Sequence, residues 1–240
     1  MRTLTFMLAA ALMPCHAWSE PAAAKKWKDQ AEFSLVTTNG NSKATTTSAK
    51  NAFGWDFRPS FRLDTEAGGL GSKSKGTVTA EQYFAWEKVS YKLDDRNYVF
   101  EKYRWDRDRF AKLSHRHELS AGAGRELWKT PKDLLIGEVA PAYVNEERIE
   151  AKRNDFGAAR FYSKLTHKFS DTASFSQDAE YIQSVKMAKD NRLNTETAVT
   201  AALTDLFSLK ASYIWKHNSL PPAGAAKDDT TTAVALLASF

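Results

Sequence analysis

The chain has 240 residues, with 34 Lys and Arg against 29 Asp and Glu, and a net charge of +5 that is too small to mark a nucleic-acid binder. Hydrophobic residues make up 42%, mean hydropathy is −0.50, and no run approaches the roughly 18 apolar residues of a spanning helix, which excludes a helical membrane protein. A soluble β-domain and a transmembrane β-barrel both keep these averages, because only alternate barrel residues meet lipid. The single cysteine, Cys15, excludes an internal disulfide framework and any zinc site needing two thiolates.

The amino terminus reads as an export address. Met1-Arg2-Thr3 gives a short positive start, Leu4 to Met13 an apolar run, and Cys15-His16-Ala17 places small residues around a cleavage point after Ala17. Residues 1–17 are therefore expected to be a secretory signal peptide, 18–25 a short leader and 26–240 an outer-membrane β-barrel. Pro14 stands where lipid attachment to Cys15 would want a small flexible residue.

Beyond the leader the apolar period is two, and no segment holds a helical 3.6 period for three turns. Turn to turn, strands are expected at 26–37, 43–57, 60–69, 77–92, 97–109, 115–127, 134–145, 154–168, 172–186, 192–203, 206–217 and 229–240. Most exceed the five or six residues usual in soluble sheets and match the roughly nine to eleven needed to cross a bilayer at a tilt. The connections alternate. Arg58-Pro59, Leu93 to Arg96, Trp128 to Asp133, Phe169 to Asp171 and Thr204-Asp205 are tight. Thr38 to Asn41, Leu70 to Gly76, Phe110 to Ser114, Glu146 to Arg153, Met187 to Asn191 and Asn218 to Asp228 are mostly longer. The expected fold is thus all-β: a transmembrane antiparallel up-and-down barrel of about 12 strands, with short periplasmic turns and longer outer loops.

Within strands, Phe207, Leu209, Ala211, Tyr213 and Trp215 share one face, and Ser208, Lys210, Ser212 and Lys216 the other. The apolar set is expected to meet lipid. The same split gives Phe33 and Leu35 against Lys28, Gln30 and Glu32, and Phe61, Leu63 and Thr65 against Arg62, Asp64 and Glu66. It also sets Val78, Ala80, Phe84 and Trp86 against Glu81 and Glu87, and Phe161 and Leu165 against Arg160 and Lys164. Trp27, Trp55, Phe57, Tyr98, Trp128, Phe169, Phe207 and Trp215 lie near strand ends, as interfacial girdles do. Val234, Leu236, Ala238 and Phe240 alternate to the last residue, making Phe240 the expected membrane-assembly signal.

The Thr38-Asn39-Gly40-Asn41-Ser42 turn, the Tyr91 to Phe110 stretch with its Leu-Asp-Asp-Arg turn, and the Leu119-Ser120-Ala121-Gly122-Ala123-Gly124 strand resemble the domain-of-unknown-function 481 family. The resemblance covers about residues 27–240 and implies a YdiY-like, salt-induced outer-membrane protein, with no catalytic residues to carry over. Glu101, Asn51 and Gln177 depart from it in falling on faces assigned to lipid.

Chemistry is sparse. His217 and Ser219 have the spacing of an outer-rim lipid hydrolase, but Leu220-Pro221-Pro222 follows and no acid is evident beside the ring. His115 and His117 share a strand face and could hold a metal only with Asp106 or Asp108 across the strand pair. The Gly-rich pieces Gly68 to Gly71 and Gly122 to Gly124 lack a following Lys-Ser/Thr or helix, which excludes a phosphate cradle. No enzyme activity, cofactor or metal is expected.

The lumen says more. Its expected lining holds Glu32, Asp64, Glu66, Glu81, Glu87, Asp106, Glu118, Asp178, Glu180 and Glu196, opposed by Lys28, Lys50, Arg62, Arg104, Arg116, Arg160, Lys164 and Lys210. The signs nearly balance, whereas a selective pore shows one sign at its constriction. A narrow or occluded barrel with an envelope-structural or stress role is the leading expectation, and a small-solute, porin-like channel the alternative. The expected partners are outer-membrane lipid, lipopolysaccharide phosphates near Lys73, Lys75, Lys152 and Arg153, and the barrel-assembly machinery through the last strand.

Overall fold

A strand that alternates apolar and polar residues must bury one face and leave no backbone edge unpaired in a membrane, and closing the sheet satisfies both demands. The computed structural model describes residues 25–38 and 44–240 and is such a closed sheet. Its strands are β1 (Trp27–Thr38), β2 (Ala44–Arg58), β3 (Phe61–Ser74), β4 (Thr77–Lys92), β5 (Asn97–Asp108), β6 (Leu113–Lys129), β7 (Asp133–Arg148), β8 (Asn154–Lys168), β9 (Ala173–Ser184), β10 (Asn191–Ala202), β11 (Phe207–Asn218) and β12 (Asp228–Ser239). Each is antiparallel to its sequence neighbour, and β12 closes on β1 with Ala31 opposite Ala238 and Phe33 opposite Leu236. The signal peptide at 1–17, nearly all of the leader and the Asn39-Gly40-Asn41-Ser42 turn lie outside the described residues.

The twelve expected strands are all present, and several run longer than their sequence pattern. β3 continues to Ser74 where a loop from Leu70 was expected, and it turns into β4 through Lys75-Gly76 alone. Both turn residues have positive φ, 50° and 82°, the geometry of a two-residue hairpin whose twist matches the flanking strands. The glycines before the turn do not break the strand: Gly68, Gly69 and Gly71 all stay in the ladder with β2.

The rim that carries both chain ends has four turns built alike. Asp94, Thr130, Ser170 and Thr204 each accept the backbone N–H groups two and three residues on, at 2.7–3.3 Å. Asx and hydroxyl turns of this type tie a tight hairpin without a glycine. The Asn97 side chain and the Arg96 and Asn97 N–H groups hold the Asp94 carboxyl below the usual carboxylate range. It therefore stays ionised, and the turn stays tied, until pH falls through that lowered value.

Faces follow residue number. Away from the bulges, even-numbered side chains from β1 to β11 point into the barrel, as the buried Ser34, Ser90, Phe100, Glu118, Val144, Arg160, Ile182, Ala198 and Lys210 record; at the bulges of β6 the order slips, so that Leu113 is buried and Trp128 exposed. The exposed Phe33, Trp55, Val89, Tyr103, Leu119, Val139, Phe161, Val199 and Leu209 mark the odd, outward face. β12 reverses the rule, burying Ala235 and Leu237 and exposing Val234 and Leu236.

Two expected orientations are corrected. Phe84 and Trp86 of β4 point inward, beneath the cations of Arg104 and Lys102 at 5.5 Å each. Glu81 and Glu87 consequently lie on the outward face, and Glu81 pairs there with Arg109 at 3.3 Å. β4 carries aromatic residues on both faces, so its apolar pattern does not identify the lipid side. Tyr98, expected in a girdle, also turns inward. Its ring lies over Gly124, where a Cβ would sit 2.2 Å from the ring, and its hydroxyl donates to Glu138 at 2.9 Å.

Gly122 makes a comparable gap: a Cβ there would meet the Val139 carbonyl oxygen at 2.2 Å and the Ala140 Cβ at 2.6 Å. Gly122→Ala should destabilise the barrel by about 1–3 kcal/mol through overpacking against backbone. Gly71→Ala, with nothing within 4 Å of the added atom, should leave stability near that of the native chain. Urea unfolding of the two variants in lipid vesicles checks the contrast.

Candidate functional site in the lumen

The inward face collects charges at successive levels, and closure of the sheet brings together strands that are distant in sequence. Arg160, on β8, is at the centre and only 1% exposed. Its Nε donates to Glu180 Oε1 on β9 at 2.7 Å and its Nη1 to Glu138 Oε2 on β7 at 3.0 Å, while Glu118 Oε1 on β6 stands 3.8 Å away. Two lysines reach the same acids from strands three and four places away round the barrel. Lys88 of β4 meets Glu138 at 2.8 Å, and Lys102 of β5 meets Glu180 at 3.0 Å. The Arg160 guanidinium also lies over the rings of Phe100 and Tyr162, so that apolar surface fills the space its hydrogen bonds leave.

A second group occupies the rim opposite the chain ends. Glu146 of β7, fully buried, accepts from Arg116 at 3.2 Å and Arg192 at 2.7 Å and lies 3.5 Å from Arg148. Asp106 is held by Arg104 at 2.6 Å. Lys216 of β11 reaches Gln82 of β4 at 3.4 Å, straight across the lumen. The connection 219–227 bends toward β6 and β7: Leu220 O accepts from Arg148 at 3.4 Å, and Gly224 lies close to Lys112.

A third, wetter group is carried by β8 to β11 and by β1 to β3. Lys210 bridges Glu196 and Glu32, and Lys50 meets the same Glu32 at 3.3 Å. Lys164 stands opposite Asp178, which in turn stands opposite Glu196. Glu66 shares the inward face of β3 with Asp64 and Arg62, and Arg62 ties Asp64 at 2.8 Å and Asp56 at 3.2 Å near the rim of the chain ends. Of the lumen charges expected from the pattern, Glu81 and Glu87 are the two placed outside by the register of β4.

A family model described as a protein of unknown function, DUF481, matches residues 31–240. The chain belongs to this family. It is 26% identical over 211 residues to the uncharacterized protein YdiY of Escherichia coli strain K12, covering 86% of this chain and 80% of that protein. Among solved structures, the NanC porin superposes with a TM-score of 0.52 at 10% identity, over 88% of this chain and 97% of the porin. An outer-membrane channel from Pseudomonas putida F1 superposes at 0.51 and 9% identity, over 89% and 94%. The fold of this DUF481 chain is thus that of outer-membrane barrels.

The charged members of the lumen groups that escape the sequence pattern include Lys88, Lys102, Glu138, Glu146, Arg148 and Arg192. In β7 both faces of Leu134 to Val144 are largely apolar, which hides the period of two around Glu138. The parity of the neighbouring strands was the available signal. Asn51 and Gln177 do lie on the outward face, where Asn51 donates to Asp29 at 2.7 Å and Gln177 accepts from Thr197, so their amides are satisfied within the wall. Glu101 also points outward and is exposed.

The four histidines among the described residues take outward positions. Trp105 Nε1 lies 3.1 Å from His115 Nδ1, and the Tyr103 hydroxyl 2.7 Å from His117 Nδ1. Asp106 points to the other face and Asp108 caps the Phe110 and Ala111 N–H groups, so neither acid joins the pair. Among the described residues no group of three His, Cys, Asp or Glu is placed to hold a metal. His217 Nδ1 is 2.7 Å from Asp228, an acid the sequence spacing did not reveal, but the Ser219 hydroxyl donates to the Lys189 and Asn191 carbonyls. Ser219 and His217 are not joined as nucleophile and base.

Arg160→Met removes the one guanidinium that Glu138 and Glu180 share. An ion pair broken inside a low-dielectric interior typically costs about 3–5 kcal/mol, because the remaining charge loses its compensation. The urea midpoint of the variant should fall accordingly, while Arg153→Gln, in an exposed loop, should leave it unchanged.

Proposed function

We propose that this DUF481 protein is an integral outer-membrane barrel closed to bulk diffusion by its own lumen charges, serving the envelope under salt stress rather than acting as an open porin. One observation carries the reading: Lys88 and Lys102 extend from β4 and β5 to Glu138 and Glu180 on β7 and β9, the acids that also hold Arg160, in a region with almost no open surface. Side chains that pair across a lumen fill its cross-section and narrow the path for solutes. Lys216 on Gln82, and the 219–227 connection tied to Arg148, add cross-links nearer the outer mouth. The salt-response role comes from the family resemblance.

The proposed location is the bacterial outer membrane, reached through the signal peptide at 1–17. Its partners there are membrane lipid, lipopolysaccharide and the assembly machinery, which would read the β12 strand ending in Phe240. That residue donates its N–H to Asp29 O at the closing seam and leaves its ring half exposed. Of the four basic residues expected to meet lipopolysaccharide phosphates, Arg153 already holds Asp155 at 2.9 Å, and Lys75 sits at a hairpin tip. Lys73 and Lys152 complete the set. No nucleic-acid partner is proposed.

The wetter group supports a second reading, a small-solute channel. Glu32, Lys50 and Glu196 keep 15–24% of their side-chain surface open, on the half of the lumen away from Arg160. Planar-bilayer recordings of the refolded protein at 0.1 M salt (about a 10 Å screening length) decide between the two. Closure expects silence from the native chain and steady ohmic steps from the Lys88→Ala, Lys102→Ala double variant. Ohmic steps in the native chain would overturn closure in favour of the channel, and unimpaired high-salt growth of a deletion strain would remove the salt-stress role.

A further inference from the structure

Glu146 is shared by three guanidiniums, and this imbalance suits an outside ligand. Arg116, Arg148 and Arg192 all turn an Nη2 toward this single buried carboxylate, at 3.2, 3.5 and 2.7 Å. Asp190, buried and with its Oδ1 also lacking a hydrogen bond, pairs with Arg192 at 3.6 Å, which still leaves two acids for three guanidiniums, and Asp106 is occupied by Arg104. The Nε–H groups of Arg116, Arg148 and Arg192 have no hydrogen-bond acceptor among the described residues. Arg192 is only 3% exposed and lies over the Phe156 ring at 4.8 Å. Its unmet donor is therefore shielded from bulk water, and an unsatisfied buried donor on a charged group is costly.

We propose that these three arginines form a binding site for a small soluble oxyanion, a phosphate- or carboxylate-bearing solute entering from the rim opposite the chain ends. Such an anion supplies acceptors in the plane of each guanidinium and offsets the surplus positive charge, in the forked geometry that arginine provides and lysine does not. Arg148 ends β7 and Arg192 is the second residue of β10, so the site lies close to that mouth. The 219–227 connection borders it through the Arg148 contact to Leu220 O. The apolar cluster of Val144, Phe156, Ala158 and Ile182 forms its floor. The site does not depend on whether the lumen conducts.

The test titrates the refolded barrel in detergent micelles with inorganic phosphate and, separately, with succinate, ionic strength being held constant with sodium chloride. Calorimetry should record saturable binding of at least one of them. Arg148→Gln, at a strand end, should weaken that binding at least tenfold without altering cold-versus-heated gel migration. Glu146→Gln, which removes the internal competitor, should tighten it. Binding of phosphate alone or of succinate alone assigns the ligand class, and binding of both assigns a general oxyanion site. Failure of both anions to bind the native chain, or equal affinity in the folded Arg148→Gln variant, overturns the proposal; if Glu146→Gln does not fold, the Arg148 comparison decides.

Discussion

A guanidinium enclosed by a β-wall needs acids to compensate it, and Arg160 finds them in Glu138 and Glu180. Much of the barrel interior is arranged around this condition. With Glu118 at 3.8 Å, three acids surround one arginine, and Lys88 and Lys102 balance the remaining two charges. Tyr98 donates to Glu138 as well, and it reaches that far because Gly124 leaves room for its ring. A glycine on β6 thus serves an acid on β7 through an aromatic side chain on β5. Coulombic pairing, hydrogen bonding and backbone clearance are parts of one arrangement, and a change in any of them is felt by the others.

The sequence pattern revealed the fold in unusual detail because a membrane wall has one rule for every strand. Strand number, topology and most lipid-facing residues follow from alternation, for instance Phe207 to Trp215 on β11 and Val234 to Ala238 on β12. The pattern failed where a strand is apolar or aromatic on both faces. β4 places Phe84 and Trp86 under lysine and arginine side chains, and β7 surrounds Glu138 with Ile136, Val139 and Ala140. Charges such as Arg160 and Glu180 were legible as inward, but their convergence with Lys102 is a property of curvature and register, which no local window contains. Asp228 beside His217 is the same lesson on a smaller scale, since the acid arrives from the next strand.

The two rims solve their turns differently. Four connections at the rim of the chain ends reuse one device, a short polar side chain that caps the following N–H groups. At the other rim the connections are individual: a two-residue hairpin at Lys75-Gly76, an Asp108 cap, and the nine residues of 219–227 that lean over the mouth. Uniform turns suit a surface that only has to close, and varied ones suit a surface that meets what lies outside.

The even-inward, odd-outward order of the first eleven strands, which slips at the bulges, has a genetic corollary. Losing a single codon inside a strand would exchange the two faces for the rest of that strand, sending charges such as Lys102 toward lipid and rings such as Tyr103 into the charged interior. Losing two codons would shorten the strand by one pleat and keep both faces. Lineages of this family should therefore vary in strand length by pairs of residues, and tolerate odd changes chiefly in connections like 219–227, after which β12 already runs in the opposite phase.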